Sequence, residues 1–225
     1  GLLITGDELI PPGERRPPGA IWESNGTLLE SLLIRLGYHV AQRRVVADDP
    51  AALRLALQEL AAGSDVVVST GGVSAGDSDW IRPLLAELGE VAFWKLFLKP
   101  GRPFAFGSLQ GPSGQAIPFF GLPGNPVAAA ITALQLLWPA LQQLEGAKPQ
   151  LLPRFQLPLA QDLRRRAGRP ELARARLQVD GSGAPMAWLE GSQASSRIGS
   201  LQEADLLLEL PAEAIQLVAG TLVWA

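Results

Sequence analysis

The chain has 225 residues, with 22 acidic against 19 basic side chains and a formal net charge of −3, a balance that argues against a polyanion-coating role. Its 47% hydrophobic content supports a real core and excludes global disorder, and its length suits one large domain or two of unequal size. With no cysteine and a single histidine, His39, disulfides, thiolate or multi-histidine metal sites and Ser/His/Asp catalysis fall away, so any chemistry rests on carboxylates, lysines, arginines and backbone amides.

No apolar run reaches the roughly 18 residues of a membrane span, because Val127 to Leu144 is interrupted by Thr132, Gln135, Gln142 and Gln143. Neither a membrane nor a nucleic-acid partner is expected. A secretory signal is not expected either. The start without Met, directly on the strand-like Leu2-Leu3-Ile4, suggests that sequence precedes it.

Through about residue 146, apolar strands alternate with helix-period segments, the pattern of a parallel sheet with crossover helices. Leu2 to Thr5 reads as the first strand. Leu28, Leu29, Leu32, Leu33 and Leu36 share one face of a helix beginning at Asn25 and stopped by Gly37. Tyr38 to Val46 reads as a second strand, with His39 packed at its start. Asp48-Asp49-Pro50 opens a helix that Gly63 ends. Asp65 to Ser69 is a short buried strand, followed by a glycine-rich turn and a helix from about Asp79 to Leu88. Val91 to Leu98 reads as a strand, Phe104 to Phe120 as a hairpin, and Asn125-Pro126 as the start of a helix running to about Leu144.

After Gly146 the composition changes. Pro149, Pro153 and Pro158 break helices, and short alternating strands surround turns such as Asp180-Gly181-Ser182-Gly183. In Leu172 to Val179, Ala173, Ala175, Leu177 and Val179 lie on one face, with Arg174, Arg176 and Gln178 on the other. The expected fold is α/β, a three-layer, mostly parallel sheet over residues 1–146, followed by a small all-β domain over residues 150–225.

Two glycine-rich loops follow strands and precede helices. In Thr70-Gly71-Gly72-Val73-Ser74-Ala75-Gly76-Asp77-Ser78-Asp79 the glycines let backbone N–H groups approach an anion, and Asp77 and Asp79 suit Mg²⁺, which takes one or two carboxylates plus substrate oxygens. A tight turn capped by Asp79 reads equally well. Gly121-Leu122-Pro123-Gly124-Asn125-Pro126 is either a second ligand loop or simply an Asn cap with Pro at the first helical position. The two together are more telling, because ligands of open α/β sheets bind at the carboxyl edge.

Lys95 and Lys99, in an extended strand, point to one side roughly 13 Å apart at about 3.3 Å per residue, either as local positive charge for an anion or as solvated edge residues. Thr5-Gly6-Asp7-Glu8-Leu9 closes the first strand with two carboxylates, which a solvated turn also explains. Arg15-Arg16 and Arg164-Arg165-Arg166 read as solvated surface, and the tryptophans as core or interface rather than ligand stackers.

Taken together, Thr5 to Leu9, Ser24-Asn25, Asp48-Asp49-Pro50, Thr70 to Asp79, Lys99-Pro100-Gly101-Arg102-Pro103 and Gly121 to Val127 resemble the MoeA/gephyrin E-domain family of molybdopterin molybdotransferases. Gly191-Ser192 resembles the turn of that family's carboxyl-terminal β domain. The resemblance implies molybdenum cofactor biosynthesis: insertion of molybdate into adenylylated molybdopterin, with Mg²⁺ and release of AMP. It implies catalytic roles for Glu8, Asp48, Asp79, Lys95 and Lys99. Ligand-binding roles follow for Thr5, Gly71, Gly72, Ser74, Gly76, Pro123, Gly124, Asn125, Pro126, Arg174 and Ser192, with Asp77 and Asp79 at the metal. Lys99, Arg174 and Ser192 would form an oxyanion pocket between the domains.

The sequence departs from the family pattern at Glu23 (usually Asp), Ser78 (commonly Tyr) and Arg102 (commonly Lys). Family members also carry two further domains upstream, one of which helps cover the partner subunit's site, so the resemblance implies a carboxyl-terminal portion of a cytoplasmic homodimer with a small anionic pterin substrate. A gephyrin-type binding or assembly scaffold is the alternative, and an adenylyltransferase one step earlier on the pathway a third reading. Glu8, Asp48, Asp79, Lys95 and Lys99 favour the enzyme.

Overall fold

The computed structural model describes residues 1–73, 80–189 and 191–225. Strand β1 (Leu2–Thr5) is followed by a short parallel pair, β2 (Leu9–Ile10) and β3 (Ile21–Trp22), then helix α1 (Asn25–Arg35) and β4 (Arg43–Val46). Helix α2 (Pro50–Ala62), β5 (Val67–Thr70), α3 (Ile81–Leu88), β6 (Gly89–Trp94), β7 (Ala105–Gln110) and β8 (Ala116–Leu122) come next, then α4 (Pro126–Thr132), a π-helical turn (Ala133–Leu137) and α5 (Trp138–Leu144). The sheet order is β4-β1-β5-β8-β7-β6. β4, β1, β5 and β8 run parallel, and β7 and β6 form an antiparallel edge.

Strand alternation sorts the apolar residues into two cores, because successive side chains leave opposite faces of a sheet. Leu3, Val67 and Phe119 pack with Leu53, Leu57 and Leu60 of α2 and with Ile81 and Leu85 of α3. Leu2, Ile4, Val68 and Phe120 turn the other way, onto Leu29 and Leu33 of α1 and onto Ala129, Leu137 and Leu141. The three-layer, parallel-dominated architecture thus follows from neighbouring residues taking opposite layers.

Helix α2 starts and stops where its sequence signals predict. Asp49 accepts a hydrogen bond from Ala52 N–H at 2.8 Å, Pro50 lies in the first turn, and Gly63 ends it. The last helix of this part is not continuous. Pro139 has no amide to give Gln135, and its ring crowds that carbonyl, so the ladder widens into the π turn just before it. The stretch Pro126–Leu144 has 19 residues and is long and apolar enough to cross a bilayer by length and composition, its glutamines notwithstanding. Half of it is buried here, as a core helix would be.

The rest of the chain forms β9 (Gln156–Pro158), β10 (Leu163–Arg164), β11 (Glu171–Val179), β12 (Pro185–Leu189), a single helical turn α6 (Gly199–Gln202), β13 (Leu206–Leu210), β14 (Gln216–Leu217) and β15 (Leu222–Trp224). Five strands make an antiparallel sheet in the order β12-β11-β13-β15-β9, while β10 pairs with β14. Leu157, Ala173, Ala175, Ala187, Leu208 and Val223 form its separate core.

Several local expectations change. The second strand is confined to Arg43–Val46, leaving His39 exposed outside it. The strand expected to reach Leu98 ends at Trp94, because Lys95 takes a left-handed φ of 82° and the chain folds back. Lys95 N–H donates to Phe104 O at 2.7 Å and Leu96 N–H to Arg102 O at 2.9 Å, so Lys95 and Lys99 share no strand face. Leu177 and Val179 are exposed, because β13 pairs with β11 only from Glu171 to Ala175 and the rest of the β11–β12 hairpin projects beyond the sheet. Arg174, placed by alternation on the polar face, is buried.

Helix α4 begins with Asn125 extended (φ −72°, ψ 127°), but the Asn125 side chain makes no capping hydrogen bond. Val127 N–H instead donates to Ser195 O at 3.0 Å, a cap supplied by the second part of the chain. Asn125→Ala is therefore expected to cost less than about 0.5 kcal/mol, below the usual penalty of about 1 kcal/mol for losing a side-chain cap. Urea unfolding of the two proteins checks this, and a loss of the full amount would show that Asn125 caps the helix in solution.

Candidate functional site

The chain passes from β1 to β4 on one side, then crosses back to β5 on the other, so the carboxyl ends of β1 and β5 flank a topological switch point. Such a crevice is where open α/β sheets bind ligands. A cleft of about 950 Å³ opens there. It is lined by the loop after β1, the turn after β5, the turn after β8, the 99–103 loop and residues 193–196 of the second part.

The turn after β5 can be made only by glycine. Gly71 and Gly72 have φ of 89° and 61°, and a Cβ on Gly71 would strike Thr5 O. Thr5 Oγ1 donates to Asp48 Oδ1, and Asp48 N–H donates to Asp7 Oδ1 at 2.9 Å, so the acidic loop after β1 is tied to the end of β4. Behind it, buried Asn25 donates from Nδ2 to Thr70 Oγ1 (2.9 Å) and Gly124 O (2.6 Å). Thr70 Oγ1 donates in turn to Pro123 O at 2.9 Å. This chain fixes the Pro123-Gly124 turn over the crevice, and Asn25 Oδ1 is left buried without a hydrogen-bond partner.

The second part of the chain closes the cleft. Lys99 joins the end of β11 through backbone bonds: Lys99 N–H to Pro170 O at 2.9 Å and Leu172 N–H to Lys99 O at 2.8 Å. Its Nζ lies 2.8 Å from Glu171, a buried carboxylate that also meets Arg165 Nε at 3.2 Å. Arg165, expected on the surface, is half-buried and donates to the Pro211, Ala214 and Arg169 carbonyls. Arg169 reaches back to Leu98 O at 2.8 Å.

Arg174 lies beneath the 192–194 segment, donating from its guanidinium to Ser192 O (3.1 Å) and Ala194 O (3.3 Å). Gln193 grips the Arg174 backbone at both N–H and C=O. Burial pushes the Arg174 guanidinium below its usual range, opposed by the charge of Glu171.

Of the residues singled out from sequence, the cleft brings together Thr5, Glu8, Asp48, Gly71, Gly72, Lys99, Pro123, Gly124, Asn125 and Pro126. Lys95, Arg174 and Ser192 are not among its lining residues. Ser74, Gly76, Asp77 and Asp79 lie outside the described residues. Among the described residues no group of three or more carboxylate or histidine side chains is arranged to hold a metal. Glu8 and Asp48 do supply two oxygen-donor side chains, within what Mg²⁺ asks of a protein.

Sequence reasoning missed Trp22, Arg169, Gln193 and Ser195 of the lining, and Glu171 behind it. Gly168 precedes Arg169 and Gly191-Ser192 precede Gln193, but neither signal says which segment these side chains face, and that is what makes them matter.

The probable molybdopterin binding domain family matches residues 1–143, and the MoeA C-terminal region (domain IV) matches residues 156–224. The molybdopterin molybdenumtransferase of Haemophilus influenzae is 32% identical over 224 residues, 99% of this chain and 54% of that protein. The molybdenum cofactor synthesis protein cinnamon of Drosophila melanogaster is 35% identical over 222 residues, 94% of this chain and 34% of that protein. In three dimensions, a MoeA protein of molybdopterin biosynthesis from Pyrococcus horikosii superposes with a TM-score of 0.78 at 26% identity, covering 99% of this chain and 52% of that one. The chain thus spans about half, or less, of the length of these relatives.

Two substitutions test this geometry. Gly71→Ala is expected to destabilise by more than about 1 kcal/mol, since it must relieve both a positive φ and the collision with Thr5 O; unchanged stability would show that the turn is built differently. Glu171→Gln is expected to cost about 1.5–3 kcal/mol, because it takes the charge from a buried carboxylate that pairs with both Lys99 and Arg165. It is also expected to hasten limited proteolysis between residues 145 and 155, and unchanged unfolding and cleavage would remove the seam from this account.

Proposed function

Because the chain belongs to the molybdopterin molybdenumtransferase (MoeA/gephyrin) family, we propose that it carries the pterin- and oxyanion-binding machinery of molybdenum cofactor biosynthesis: insertion of molybdate into adenylylated molybdopterin with release of AMP. The observation that carries this reading is that both matched regions, residues 1–143 and 156–224, contribute walls to one cleft at the switch point of the sheet. We take residues 1–146 and 150–225 as the two working domains of a cytoplasmic homodimer.

The substrates are anions, and the cleft offers Lys99, Arg102 and Arg169 with the glycine turn after β5. Cations and amides fixed in place stabilise such charge with little reorganisation. Lys99 would hold a phosphate or molybdate oxygen from the position Glu171 gives it. Glu8 and Asp48 would pass protons, two thiol hydrogens of the dithiolene leaving with one molybdate oxygen as water. Water also adds across the phosphoanhydride as AMP departs. Asp77 and Asp79 are assigned to Mg²⁺, which when bound supplies positive charge to the phosphoanhydride oxygens. Lys95, Arg174 and Ser192 stand back from the cleft lining, so their part would be to shape the loops around it.

Lys99→Ala in the intact protein is expected to lower molybdate-dependent AMP release by about 10²-fold, the scale of losing one fixed transition-state donor. Release at the unaltered rate would sink the role given to Lys99. Binding of adenylylated molybdopterin without any release from the unmodified protein would point instead to a scaffold.

A further inference from the structure

Trp22 does not behave as the core or interface residue its composition suggests. It is 53% exposed, yet it lines the cleft. Its position is fixed on both sides: Ile21 N–H donates to Glu8 O and Glu23 N–H to Ile10 O, each at 2.8 Å. The next residue, Glu23, is buried, accepting from Gly26 N–H at 2.6 Å and pairing with Arg43.

The ring itself is oriented. The indole N–H donates to Glu14 O at 3.2 Å, and the Arg16 guanidinium lies 5.6 Å from the ring centroid. Among the described residues Trp22 lines the cleft and Arg16 does not. An aromatic side chain carries a large apolar surface whose exposure to water is unfavourable, and its faces favour conjugated partners. Glycine turns and cations elsewhere in the cleft suit the anionic end of a ligand, and Trp22 is the aromatic side chain among the described lining residues.

We propose that Trp22 is a stacking platform for the flat nitrogen heterocycle of a phosphorylated ligand, with the phosphate held by the cations across the cleft. This rests on the function proposed above, whose substrate contains two such rings, adenine and pterin. Stacking tolerates either, because each presents a π face.

Calorimetric titration with AMP, neopterin monophosphate and ribose 5-phosphate, against the unmodified protein, Trp22→Ala and Trp22→Phe, tests it. Trp22 is exposed, so both variants are expected to fold, and their unfolding curves check this. For the ring that stacks, Trp22→Ala is expected to weaken binding by about fivefold or more and Trp22→Phe by no more than about twofold. Ribose 5-phosphate is expected to bind all three proteins alike. Weakening confined to AMP identifies adenine, and weakening confined to the pterin identifies that ring. Equal binding of both ring ligands by all three proteins overturns the platform and leaves the cleft reading standing. Equal weakening of all three ligands in Trp22→Ala also overturns it, by showing a general change in the cleft. Failure of the unmodified protein to bind any of the three overturns the cleft reading and the platform together.

Discussion

The seam at Lys99 is the constraint on which the site depends. The 95–104 loop is a hairpin connection between β6 and β7, and its middle is stitched to the end of β11 by two backbone hydrogen bonds. Beneath them Glu171 is buried between Lys99 and Arg165. A carboxylate taken from water is tolerable there only because two cations accompany it. The same seam turns a surface loop into the wall of a cleft.

From the other side, the cleft is held by short polar links rather than by the apolar cores. Asn25, Thr70 and Pro123 form one chain of hydrogen bonds across three segments, and Thr5, Asp48 and Asp7 form another. These bonds register the ends of β1, β4, β5 and β8, so the loops that meet at the switch point are fixed by the strands they leave. Ser195 extends the same logic to the second part of the chain by capping helix α4. Helix start, cleft wall and contact between the two sheets are therefore one structural event.

Charge within the cleft is shared out. Glu23 is answered by Arg43, Lys99 by Glu171, and Asp48 by the Thr5 hydroxyl and its neighbouring loop. Arg174 supports the 192–194 segment from beneath. Its burial shows why a polar residue in an alternating strand need not be the one that meets a ligand. A strand side chain faces whatever is packed over it, and here that is a loop of the same chain.

By itself the sequence determined the layers, the helix starts and stops at Asp49-Pro50 and Gly63, and the glycine turn after β5. Each is a local matter of periodicity, capping or a φ that only glycine adopts readily. It also carried the family resemblance on which the chemistry rests. Only the tertiary structure decided that Lys95 turns back, that Arg165 is drawn inward to Glu171 while its neighbours are exposed, that Val127 is capped by Ser195, and that Trp22 reaches the cleft. Glu171 shows the reason: its partners are one residue six positions away and another on a loop seventy-two positions earlier in the chain. No local pattern encodes a contact whose two halves meet only when separate sheets dock, because its free energy arises from the desolvation and pairing that docking creates.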